Sequence, residues 1–105
     1  MTDLEYIAEN LPEEDILCQI AEEAAELAQA ALKLRRAITQ TNPTPVTVEQ
    51  AADNLVEEYG DTVVAMTAYF MKHGMIDRKV RDILEQINPK YSRWAQRIKE
   101  GKGHE

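Results

Sequence analysis

Between positions 11 and 38, Ile16, Ile20, Ala24, Leu27, Ala31, Leu34 and Ile38 return every three or four places, the spacing that lays one apolar stripe along an α-helix. Leu11-Pro12-Glu13-Glu14-Asp15 marks the start, since proline suits a first helical turn and acids face the positive end of the helix dipole. Helix one is therefore predicted over 11–38. Thr39 to Val46 ends it, because Pro43 and Pro45 lack backbone donors and push the residue before each away from the helical region. A second helix is predicted over 47–73: Thr47 and Gln50 form a capping-box pattern, and Val48, Ala52, Leu55, Tyr59, Val63, Met66 and Phe70 form the stripe. Gly74 then closes it. The region 76–99 reads as C-terminal helical segments. Val80, Ile83, Leu84 and Ile87 serve the first, and Asn88-Pro89 is expected to end it and restart a short helix from Lys90 to Lys99. The first twelve residues carry weak signals, and the tail from Gly101 to Glu105 reads as frayed.

Only helical periods occur, and Ala, Leu, Glu, Gln, Lys and Arg dominate the long windows, which predicts an all-α fold, an antiparallel helical bundle. At 105 residues the chain is expected to be a single domain, 1–105. So short a chain covers its stripes only partly, and burial between subunits gains roughly 25 cal/mol per Å², so a homo-oligomer, a dimer or tetramer, is expected. The net charge of −7 argues against a nucleic-acid polymer as partner, because phosphate backbones are held by clustered cations. No apolar run suggests a leader or a membrane span, and the single Cys18, set among Ile16, Leu17 and Ile20, reads as a small core residue. These features predict a cytoplasmic protein with no membrane partner.

The candidate chemistry lies in the acids. At about 100° per residue, Glu23 and Glu26 share a flank of helix one, and Glu58 and Asp61 share a flank of helix two. Two antiparallel helices can bring four such carboxylates to one point, where Ala24, Ala25, Ala30 and Ala65 leave room. Their mutual repulsion calls for a cation, and hard oxygen ligands without His or Cys suit Mg²⁺, with Mn²⁺ as the alternative. The competing reading makes Glu22, Glu23, Glu26, Glu57 and Glu58 ordinary solvated acids of a non-catalytic helical interaction or regulatory module. Against it, neither Glu22-Glu23 nor Glu57-Glu58 has a Lys or Arg four residues on. A ferritin-like di-iron bundle needs Glu-x-x-His pairs, and His73 and His104 follow Phe70 and Gly101 at that offset.

Glu22-Glu23-Ala24-Ala25-Glu26 followed by Glu58-Tyr59-Gly60-Asp61 resembles the E-E-x-x-E and E-x-x-D motifs of the MazG-like nucleotide pyrophosphohydrolases. Gln19, the stretch Leu27 to Arg36, the Asn-Pro-Thr-Pro loop and the basic stretch Lys90 to Arg97 extend the likeness to compact, phage-type members. The resemblance implies an all-α hydrolase that splits a nucleoside triphosphate into monophosphate and pyrophosphate, using divalent metal. Carried over by position, Glu23, Glu26, Glu58 and Asp61 become metal ligands, and Glu22 a second-metal ligand or water activator. Gly60, in place of the small or apolar residue common before the Asp, is read as permitting close backbone approach at the site. Lys33, Lys90, Arg93 and Arg97 are candidate phosphate contacts, as ammonium and guanidinium groups donate to phosphate oxygens. Tyr91 and Trp94 offer rings for a base, or core packing alongside Ile98.

Overall fold

In the computed structural model, which describes residues 1–74 and 76–103, the chain forms α1 (Asp3–Asn10), α2 (Glu13–Thr39), α3 (Val48–Lys72) and α4 (Ile76–Gly103). The all-α class holds among the described residues. The chain gathers into two units, Met1–Gly74 and Met75–Glu105.

In the first unit α2 and α3 lie antiparallel. Glu13 meets His73, Glu23 meets Thr62, and Arg36 shares a cavity with Asn54, so residue numbers fall on one helix as they rise on the other. The turns between elements follow local chemistry. Gln40, in the left-handed region at φ 54°, ends α2 by donating its N–H to the Arg36 carbonyl at 2.9 Å. The expected capping box starts α3: Thr47 Oγ1 accepts from the Gln50 N–H at 3.1 Å, and the Thr47 N–H donates to Gln50 Oε1 at 3.0 Å. Gly74 follows the C-cap His73 at φ 62°, a conformation that costs glycine little.

The buried seam differs from the predicted stripes. On α2 it runs through Ile16, Ile20, Glu23, Leu27, Ala30, Leu34 and Ala37; on α3 it includes Ala51, Leu55, Glu58, Thr62, Ala65 and Tyr69. Ala24, Ala31 and Ile38 of the predicted stripe are exposed, as are Val48, Tyr59 and Val63. A spacing of alternating three and four residues is the 3.5-residue period of paired helices. Choosing the apolar residue at each turn drifts off that period, and following the partner helix draws Glu23 and Glu58 inward instead.

The weak N-terminal signals conceal a real helix. Thr2 caps α1 by accepting from the Glu5 N–H, Ala8 is buried, and α1 packs on α3. Lys72 Nζ holds the end of α1, donating to the carbonyls of Ala8 at 2.9 Å and Leu11 at 2.6 Å.

The second unit is α4. The expected break at Asn88-Pro89 does not occur, and one helix continues through Pro89. Proline removes its own donor and so frees the Glu85 carbonyl, but residues 84–86 and 88–93 are exposed, where water can satisfy that group. No described helix is long and apolar enough to cross a membrane.

Candidate metal centre

The 3.5-residue seam places Glu23 and Glu58 opposite each other between α2 and α3, and Glu26, one turn on from Glu23, comes up beside them. One carboxylate oxygen from each of Glu23, Glu26 and Glu58 lies within 4.8 Å of the others. Glu23 and Glu58 are half-buried and Glu26 is exposed, so the cluster opens to solvent on one side.

Thr62 ties the two helices at this level. Its hydroxyl lies 2.9 Å from the Glu58 carbonyl, one turn back on α3, and 3.4 Å from the Glu23 carbonyl across the seam. Gln19 Nε2 donates to Glu23 Oε1 at 2.8 Å. The other oxygens, Glu23 Oε2 and Glu58 Oε2, are buried without a hydrogen-bond partner. A buried carboxylate oxygen without a protein partner is costly, and it is suited to accept from water or to bind a cation.

The electrostatics agree with this geometry. Burial raises the Glu23 carboxyl above its ordinary value, reinforced by the charge of Glu26 and, further down, that of Asp61; the Gln19 bond acts in the opposite direction. Burial is also the largest cause of the raised Glu58 value, followed by hydrogen bonding with Glu26 and the charges of Glu26, Asp61 and Glu23. Four carboxyls thus share one electrostatic neighbourhood, three of them with oxygens within 4.8 Å of one another.

Comparison of the chain with family models, curated proteins and solved structures finds no match. The assignment of the site therefore rests on its geometry.

Of the residues singled out in the sequence, Glu23, Glu26 and Glu58 converge. Asp61 is exposed and outside the close cluster, acting on it by charge. Glu22 is exposed and also stands apart from the three. Lys33 lines a groove shared with Glu26 and Glu58. Lys90, Arg93 and Arg97 belong to the second unit, where all three are exposed. Gly60 has no other part of the chain within 4 Å of the position a Cβ would take, so no packing within the chain requires glycine there. Ala30 and Ala65 are buried in the seam as expected of space-giving residues, while Ala24 and Ala25 face outward. Sequence reading missed Thr62, whose signal is its place one turn after Glu58, and Arg36, hidden in the Arg35-Arg36 pair of which only the second is half-buried.

The donor set fits a hard divalent cation. Three carboxylates in reach of one point, two with unmatched buried oxygens, supply oxygen ligands and negative charge, which suit Mg²⁺ or Mn²⁺.

Proposed function

We propose that the protein is a Mg²⁺-dependent nucleoside triphosphate pyrophosphohydrolase, in keeping with its resemblance to the MazG-like enzymes. The observation that carries this reading is the convergence of Glu23, Glu26 and Glu58 with two buried carboxylate oxygens unmatched. Glu23, Glu26 and Glu58 would hold the cation, and Asp61 adds charge from beside them. When bound, the cation would supply charge neutralisation of the phosphates and a more acidic coordinated water.

The residues themselves contribute the rest. Thr62 and Gln19 hold the Glu23 and Glu58 region in place through the bonds described above. A carboxylate close to the attacking water would take its proton, the role for which Glu22 is the candidate by resemblance. Water adds to the α-phosphorus, the bond from that phosphorus to the α–β bridging oxygen breaks, and pyrophosphate leaves.

A panel of nucleoside triphosphates assayed with Mg²⁺ tests the reading. Pyrophosphate and a monophosphate are the expected products, with ¹⁸O from labelled water in the monophosphate. Glu26→Gln and Asp61→Asn keep side-chain size and should retain the fold; the first should lower kcat by orders of magnitude, and the second, which removes only a neighbouring charge, should lower it less. Orthophosphate as the first product, or full activity in both amide variants, would sink the proposal. The alternative, a non-catalytic interaction module, draws on the apolar side chains left in solvent, such as Tyr59, Val64 and Trp94. It predicts no metal-dependent turnover.

A further inference from the structure

Next to the acid cluster runs a cavity of about 350 Å³ lined by Glu26, Gln29, Lys33 and Arg36 of α2 and by Asn54 and Glu58 of α3. Glu26 and Glu58 meet in the acid cluster, and Lys33 and Arg36 come two and three turns later on α2, so the order along the helix sets the acids toward one end and the bases toward the other. Gln29, Lys33 and Arg36 follow Glu26 at three, seven and ten residues, so all four share one face of α2. Side chains on a helix lean toward its N-terminus, which sends Lys33 and Arg36 back along the groove toward Glu26.

Both cations are half-buried, yet neither lies within ion-pairing distance of a carboxylate: among the described residues the one such pair is His73–Glu13. The acids and bases of this groove therefore face one space without neutralising each other. Arg36 also sits in the last turn of α2, where a cation meets the negative end of the helix dipole. That effect needs no cavity, and it leaves Lys33, a turn further in, unexplained.

A groove that is acidic at one end and basic at the other complements a ligand with a cation at one end and an anionic tail at the other. A divalent cation chelated by a polyphosphate has that form. We infer that the groove formed by Gln29, Lys33, Arg36 and Asn54 is the subsite for the outer phosphates of the nucleotide, the part that leaves as pyrophosphate. This rests on the function proposed above and deepens it: the enzyme selects by length of the phosphate chain, since a monophosphate has no group to place on Lys33 and Arg36.

The test uses binding as well as turnover. Pyrophosphate is titrated by calorimetry into the whole protein with Mg²⁺ present, and Mg²⁺ alone is titrated separately, for wild type, Lys33→Ala, Arg36→Ala and, as a control for simple loss of charge, Arg35→Ala. The inference expects pyrophosphate affinity to fall about tenfold or more in the Lys33 and Arg36 variants, the order expected for one charge-assisted hydrogen bond. Mg²⁺ affinity and the Arg35 variant should stay near wild type.

Equal pyrophosphate affinity in all four proteins would overturn the subsite, as would Mg²⁺ binding without pyrophosphate binding. A nucleoside monophosphate titrated in the same way gives the remaining outcome: a loss confined to its affinity would assign the groove to the nucleoside, and also overturn the subsite. Pyrophosphate binding that depends on Lys33 and Arg36 in a protein without triphosphate turnover would keep the subsite and defeat the hydrolase reading. The two failures are thus distinguishable.

Discussion

A carboxylate at a seam position between two helices is held where its charge is least welcome, and Glu23 and Glu58 carry raised values for that reason first. An acid whose folded value is raised binds its proton more tightly in the native state. Its contribution to stability is complete below the unfolded value and is lost as pH climbs through the folded one. Once pH is above the raised values both groups are charged, and the metal-free protein bears the cost. Glu58→Gln, neutral at every pH, should therefore raise the melting temperature of the metal-free protein at pH above the raised Glu58 value, with the gain shrinking toward wild type as pH falls through it. Mg²⁺ should raise the wild-type melting temperature and raise that of the variant less. An identical Mg²⁺ response in both would separate Glu58 from any metal site. Gly60 makes the opposite case: it is exposed inside α3 and nothing crowds it. Gly60→Ala should add roughly 0.5–1 kcal/mol in urea unfolding, because alanine loses less backbone freedom in a helix. Destabilisation would mean that the backbone at Gly60 is needed for something its surroundings do not reveal.

At the scale of elements, the caps are where sequence and structure meet most directly. Thr47 and Gln50 bond reciprocally over four residues, so the signal is local and independent of packing. Thr47→Ala should cost about 1 kcal/mol of stability, read as a lower urea midpoint at unchanged slope. No loss would imply that the seam alone defines the start of α3. Helix α1 shows the reverse. Its eight residues make barely two turns, too few to show a period in sequence, and it is secured by packing against α3 and by the Lys72 ammonium more than sixty residues away. Contacts of that span leave no local mark. Pro89 likewise reads as a stop in sequence, and α4 continues through it because its freed carbonyl lies on an exposed stretch.

At the scale of the molecule, large apolar side chains remain in solvent on both units, among them Tyr59, Val63 and Val64 of α3 and Leu84, Tyr91, Trp94 and Ile98 of α4. We propose that copies of the chain cover one another there, since burying such groups gains roughly 25 cal/mol per Å². Light scattering at micromolar concentration should give at least twice the 11.9 kDa chain mass. A monomer would remove the dimer or tetramer from the proposal.

The helical class, the approximate limits of α2 and α3, the turn between them and three of the four acids expected to converge were legible in the residues, Asp61 being the exception. Each depends on local rules: period, caps, proline, and acids spaced one turn apart. The tertiary structure decided which side of each helix turned inward. A stripe of mixed three- and four-residue steps leaves the choice between Glu23 and Ala24, or Glu58 and Tyr59, open by a single position. Only the 3.5-residue register of one helix against the other places both glutamates in the seam. The same register brings Lys33 and Arg36 into one groove with Glu26 and Glu58, because a relation between two helices is a property of their packing and not of either segment alone.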